Sequence, residues 1–227
     1  MEIRKIEEVM LKEDTLAAFM NTGERKAAKF LKEHPELVVW GFCTTGGHSK
    51  YVLYEFPFGA NYKADFVIPF SYSGAWDVHL VELEPVDDQV VTKNGNPSYR
   101  LNSAFSQLND WQEYIERNQT QFRMDLSKWC DEKDQLCWHN NDHPPCNYTN
   151  NYLRDPNTVI FYYYHVIIGR RKMINEETRR RMNQFRKRND IQIRTYDCFV
   201  DIAGNYDLYR QNPHKSVYLP STNEEAL

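Results

Sequence analysis

Lys63-Ala64-Asp65-Phe66-Val67-Ile68-Pro69-Phe70, a break at Ser71 to Gly74, then Trp76-Asp77-Val78-His79-Leu80-Val81-Glu82-Leu83-Glu84: this stretch decides how the chain folds. Both halves are short apolar runs rich in aromatic and β-branched residues, and the polar, Gly-bearing break reads as the turn between two neighbouring strands. Side chains alternate along a strand, so Glu82 and Glu84 share one face of the later strand. His79, Val81 and Leu83 take the other face. If the strands pair as a hairpin, Asp65 comes within reach of Glu82.

Working outward, Tyr51 to Phe58 alternates aromatic and aliphatic residues and reads as a strand before the hairpin. Ahead of it, Glu24 to Leu37 is predicted as a helix with Ala27, Ala28, Phe30, Leu31 and Leu37 on its apolar face. Residues 1–22 are polar and read as an appendage. Pro85 stops the third strand, and Asp87 to Tyr99, with Asn94-Gly95-Asn96-Pro97, must be a loop. Leu101, Ala104, Phe105, Leu108, Trp111 and Ile115 recur at helical spacing, which predicts a helix over Leu101 to Asn118. Residues 121–157 read as an irregular insertion. Thr158 to Gly169 is the most apolar strand and is expected at the centre of the sheet. Asn175 should cap a basic helix running to about Arg188, with Thr178, Met182 and Phe185 inward. Ile191 to Val200 reads as a last strand, and residues 204–227 as a tail.

The order is helix, three-stranded meander, helix, strand, helix, strand. That implies one α/β domain over residues 23–203, with a mixed central sheet flanked by helices. A chain of 227 residues can bury a core without covalent staples. No apolar run is long enough for a membrane helix. The charged start, Met1 to Glu13, is no secretory signal, so a cytoplasmic location is expected. The cysteines, Cys43, Cys130, Cys137, Cys146 and Cys198, are odd in number and sparse, which argues against a disulfide framework.

Net charge is −4, but it is unevenly spread. Arg170 to Arg188 holds nine Lys and Arg residues against Glu176 and Glu177, a local +7 that leaves −11 elsewhere. A basic segment on an acidic body fits a phosphate-bearing partner such as DNA. Arg170, Arg171, Arg179, Arg180 and Arg186 are its candidate contacts, the alternative being a solvated helix face.

Two carboxylates side by side repel each other unless a cation offsets their charge. Mg²⁺ or Mn²⁺ suits this, since such ions take hard oxygen ligands and are usually held by one or two carboxylates plus a substrate phosphate. Asp65, Glu82 and Glu84 are therefore candidate metal ligands and catalytic groups for metal-assisted hydrolysis; the alternative is solvated strand-end acids. Gln107, Trp111 and Tyr114 share a helix face, and Gln107 could orient a metal-bound water or a phosphate. Cys130, Cys137, His139, His143 and Cys146 lie within 17 residues and could hold Zn²⁺. They lack a Cys-x-x-Cys pair, and free thiols are the other reading.

These residues resemble a known family. Asp65 followed by Glu82-Leu83-Glu84, on this order of elements, looks like the PD-(D/E)XK nuclease superfamily, whose restriction-endonuclease-like core runs αβββαβ. The closer resemblance is to the C-terminal nuclease domain of Shedu anti-phage defence proteins. It is carried by Glu24 to Val38, Asp65-Phe66-Val67-Ile68, Val81-Glu82-Leu83-Glu84-Pro85, Lys93-Asn94-Gly95-Asn96-Pro97-Ser98, Ala104 to Ile115, Ile167 to Arg171, and Arg194 to Asp197. The resemblance implies a DNA endonuclease that uses Mg²⁺ or Mn²⁺ and assembles into homo-oligomers, with Glu24 as a supporting residue. It also carries a departure, because the superfamily pattern ends in Lys where this chain has Glu84. Lys93 and Lys63 are candidate substitutes. The alternative is a catalytically degenerate nuclease frame that binds DNA or regulates.

Overall fold

The computed structural model describes residues 12–19, 23–43, 47–134 and 142–204. Among them, helices α1 (Lys12–Ala18), α2 (Glu24–Glu33) and α3 (Pro35–Phe42) come first. Strands β1 (Leu53–Phe58), β2 (Tyr62–Tyr72) and β3 (Ala75–Leu83) follow, then helices α4 (Tyr99–Arg117) and α5 (Gln119–Lys133). Strand β4 (Val159–Ile167), helix α6 (Glu176–Asn189), strand β5 (Ile191–Arg194) and helix α7 (Asp197–Gly204) close the chain, with a 3-10 turn at Arg171–Met173 before α6.

The strands form one mixed sheet in chain order, β1-β2-β3-β4-β5. β1, β2 and β3 are an antiparallel meander, and β4 and β5 join it in parallel. The expected α/β class is thus the observed one. Each face buries its own core. On one side Val67, Trp76, Val78, Leu80 and Val166 pack against Ala104, Leu108 and Trp111 of α4 and Phe122 and Leu126 of α5, with Met182 and Phe185 of α6 at the margin. On the other, Phe66, Ile68, Val81 and Leu83 pack against α2, α3 and α7 through Leu31, Val38, Phe42 and Phe199. The period-two alternation within β3, Leu80 on one core and Val81 on the other, makes this a three-layer arrangement.

Five readings of the sequence need correction. β3, not β4, is central, since β4 pairs β3 on one side and the four-residue β5 on the other; the first half of β4 is only partly covered, with Val159 51% and Phe161 48% exposed. The helix predicted from Glu24 breaks at His34, because Pro35 cannot continue it and instead starts α3. Residues 119–133 are helix α5, not irregular chain. Phe122, Leu126 and Cys130 recur there at helical spacing and are buried, and Arg123 ties the helix to the entry of β4 by donating to the carbonyls of Asp155, Pro156 and Thr158. The last predicted strand ends at Arg194, and Asp197 onward is helix α7. Finally, α1 is no loose appendage: Phe19, just after it, is buried and packs its ring against Phe30, Tyr196 and Phe199.

Candidate active site

The hairpin register places the acids. Phe66 pairs with Val81, so Asp65 and Glu82 come next, opposite each other at the end of the ladder. Asp65 shares its side of the sheet with Val67, and Glu82 with Leu80, so both face α4. Asp65 Oδ2 accepts a hydrogen bond of 2.8 Å from the Leu83 backbone N–H, which fixes the carboxylate at the strand end. The ladder runs one residue past β3: Glu84 N–H donates to Ile167 O at 2.8 Å, and the Glu84 carbonyl accepts from the Tyr196 hydroxyl at 2.9 Å. Glu84 is 6% exposed.

Helix α4 lies across this face. Ser98 caps it, its hydroxyl accepting from Leu101 N–H at 3.2 Å, as the side-chain oxygen of a good N-cap does. Two turns in, Gln107 lies near enough to the Glu82 carboxylate to favour its charged form. From the opposite layer, Glu24 in the first turn of α2 adds its charge to the same group: it acts on Asp65, Glu82 and Glu84 alike.

Crowding and burial hold all three acids above the ordinary carboxylate range. Asp65 is pushed up to about 6, by burial first and by Glu24, against the pull of the Leu83 hydrogen bond. Glu82 is pushed up to about 9 by burial and by the charges of Asp65 and Glu84, with the Gln107 hydrogen bond opposing. Glu84 is pushed up to about 7 by burial and Glu24, with Arg100 pulling the other way. Carboxylates in this state are short of positive charge.

That is the donor chemistry a hard divalent ion fits. The three acids do not converge as one ligand set, however: among the described residues no three His, Cys, Asp or Glu side chains are placed to hold a single ion. Glu84 sits beyond the strand end, where the chain turns at Pro85, and one Asp65 oxygen is engaged by Leu83. Asp65 and Glu82, opposite each other across the hairpin, are the pair that could hold such an ion, with water and phosphate at its other positions, as is usual for Mg²⁺.

The other sequence candidates are scattered. Lys63 bonds Glu55 at 2.6 Å, and its charge also acts on Asp65. Lys93 lies away on an exposed turn that lines a cleft of about 430 Å³ with Asn175, Thr178 and Arg181 of the α6 region. Arg170 corrects the reading of a phosphate contact: it is buried, its guanidinium grips both Asp197 oxygens at 3.0 and 3.1 Å, and it donates to Phe19 O at 3.0 Å. Arg171 is paired with Asp201 on α7. Arg180 bonds Glu177 at 2.7 Å, and half-buried Arg186 bonds Gln192. Arg179 is exposed and lines a surface cleft of about 490 Å³ with Arg180 and Asn183. The zinc reading falls partly outside the described residues, which omit Cys137 and His139. Of the rest, Cys130 is buried in the core and His143 bonds Asp131 at 3.1 Å. Sequence reasoning missed Arg100; its signal was a position seven residues before Gln107 in the helix.

A five-stranded mixed sheet flanked by helices is an α/β fold consistent with a nuclease-like one. The family model for the C-terminal region of Shedu protein SduA matches residues 21–200, and the chain belongs to that family. Membership implies a defence-related role. No curated protein matches the chain. Among the described residues no helix is long and apolar enough to cross a membrane.

Proposed function

We propose that this chain is an endonuclease that cuts DNA in defence against phage, using Mg²⁺ or Mn²⁺. The observation that carries the reading is the hairpin register that sets Asp65 and Glu82 opposite each other beside Glu84 on the face that α4 covers, with every acid pushed upward by burial and by its acidic neighbours. Asp65 and Glu82 would hold the ion. When bound, such an ion lowers the pKa of its water and neutralises charge on the phosphate. Leu83 N–H and Gln107 keep the two ligand carboxylates oriented. Glu84, buried beside them, is the group to accept the proton of the attacking water. Water adds to phosphorus, one P–O ester bond breaks, and the departing oxygen is protonated, giving a phosphomonoester and a hydroxyl.

DNA would approach the face that carries α4 and α6. The outward basic residues of α6, Arg179 with Lys187 and Arg188, are exposed and would neutralise phosphates. In this reading the copies assemble into a homo-oligomer, which sedimentation of the purified chain tests. The deciding experiment is cleavage of supercoiled plasmid with Mn²⁺. Wild type should nick and linearise it, and Asp65→Ala should not while keeping its circular dichroism spectrum. Salt-dependent DNA binding with no cleavage in either Mg²⁺ or Mn²⁺ would instead mark a degenerate frame that only binds, a reading favoured by the acid at position 84.

A further inference from the structure

A site of three acids repels the phosphate it must bind, so cleavage of DNA there needs a fixed positive group as well as an ion. The geometry of α4 supplies one. Helix α4 packs through Ala104, Leu108 and Trp111 on Val67 and Leu80, the sheet face that carries Asp65 and Glu82, and Gln107 on its flank acts on the Glu82 carboxylate. Arg100 lies seven residues earlier on the same helix. Seven steps at about 100° fall some 20° short of two full turns, so Arg100 points the same way, about 10 Å nearer the helix start. Ala104, between the two, is small and fully buried, which lets the helix lie close on the sheet. Glu84 follows Glu82 by two residues on the facing strand, and the Arg100 charge acts on it. Arg100 itself is exposed. Lys63, the other cation acting on the acids, is already bonded to Glu55.

We propose that Arg100 is the phosphate-stabilising cation of this site, placed by α4 over the Glu84 end of the acidic cluster. The inference rests on the cleavage reading above. A guanidinium stays protonated, so it cannot act as the base; its forked donors match two phosphate oxygens at once. Its contribution is therefore to the charge that builds on the phosphate during attack, and it should appear in the rate rather than in DNA affinity.

The test compares wild type, Arg100→Gln and Arg100→Lys in Mn²⁺-dependent plasmid cleavage. DNA binding is measured in parallel in Ca²⁺, and melting temperature with and without Mn²⁺. Arg100→Gln should cleave on the order of 100-fold more slowly, the scale of losing one preorganised charge-stabilising group. Its DNA affinity should change by less than about 3-fold, as for one phosphate contact among several. Mn²⁺ should still raise its melting temperature, showing that the ion site survives. Arg100→Lys should keep part of the rate, since an ammonium lacks the fork. Wild-type cleavage by Arg100→Gln, or a loss of DNA affinity that accounts for the whole loss of rate, would overturn the role of Arg100 and leave the nuclease reading standing. A wild type that cuts nothing overturns both.

Discussion

Strand β3 carries ionisable groups on both faces of the sheet, each beside a partner on a neighbouring strand, and the two sets are treated in opposite ways. Toward α4, Asp65 and Glu82 stand at the open end of the hairpin with Glu84 next to them, and all are pushed upward. Toward α3 and α7, His79 of β3 and His165 of β4 meet ring to ring, Nδ1 to Nε2 at 2.9 Å, under the edge of Phe42. His79 is pushed down to about 3 and His165 well below its usual value, by burial first and then by Arg194 for His79 and by His79 itself for His165. Burial disfavours charge in both places. The histidines can meet that demand alone, by staying neutral and sharing one hydrogen bond. The carboxylates can meet it only by taking up protons or by gaining a cation. A closed pair is packing; a crowded set of acids at a strand end is a candidate site.

The largest effect should come from breaking the acidic set. Glu82→Ala should reduce Mn²⁺-dependent plasmid cleavage on the order of 1000-fold, because it removes one of the two carboxylates that would hold the ion. Cleavage by Glu82→Ala at close to the wild-type rate would place the chemistry elsewhere.

A third buried set calibrates the comparison. Arg170 and Asp197 are both mostly covered and bonded through two contacts. Burial alone would raise Asp197, yet Arg170 and the Arg171 N–H hold it below the usual carboxylate range. Arg170→Leu leaves Asp197 buried without its partner and should cost about 3–5 kcal/mol, read by urea denaturation. It should leave the salt dependence of DNA binding unchanged, whereas Arg179→Gln should lower that slope by about one unit with no loss of stability.

The acids should also give the metal-free protein a distinctive pH dependence. Their folded pKa values are raised, so the folded state binds more protons than the unfolded state between about pH 4, near the model-peptide values, and the folded values. Stability contributed by these groups is therefore full at low pH and lost as pH rises, through about 6 for Asp65, about 7 for Glu84 and about 9 for Glu82. Glu82→Gln should raise the melting temperature near pH 8 by about 4 °C, the effect of 1–2 kcal/mol in a domain of this size. Mn²⁺ should raise the wild type and do little for this variant. No difference between the two metal-free proteins across that range would mean that Glu82 is not crowded in solution.

The smallest effect is expected at the histidines, and its sign is reversed. Their folded pKa is lowered, so the unfolded state takes up protons first. The stability they contribute is full above about pH 6.5, the unfolded value, and lost as pH falls toward the folded value of about 3 for His79. Replacing both together, His79→Phe with His165→Leu, should flatten the acid side of the melting-temperature profile by about 2 °C near pH 5 and leave plasmid cleavage unchanged. A change in cleavage would show that the two faces are coupled through β3.

Much of this was already written in the chain. The alternation in Trp76 to Glu84, with the turn at Ser71 to Gly74, predicted the hairpin and put Glu82 and Glu84 on one face, because strand geometry has a period of two; the register that sets Asp65 opposite Glu82 came from the pairing of the strands. The helical spacing of Leu101 to Ile115 determined α4, and the helix period put Gln107 and Arg100 on one side of it. Asn175 determined where α6 begins; its side chain accepts from Thr178 N–H at 2.8 Å. What only the tertiary structure decided was which charges meet. Sequence counted Arg170 among the contacts for a partner, but α7 brings Asp197 to it and turns it into part of the core. Sequence left residues 119–133 without structure because their mean polarity hides the stripe of Phe122, Leu126 and Cys130 that β1 and β4 bury. Sequence offered Lys63 and Lys93 in place of the missing lysine and passed over Arg100, whose charge acts on Glu84 from a separate element. The loop after Pro85 folds back, with Ser98 N–H on Val90 O at 3.0 Å, and so returns the start of α4 to the part of the fold where the Arg100 charge acts on Glu84. Local periodicity is set by bond geometry and can be read from the chain, whereas the sign of the charge across a site depends on contacts between distant segments that packing alone brings together.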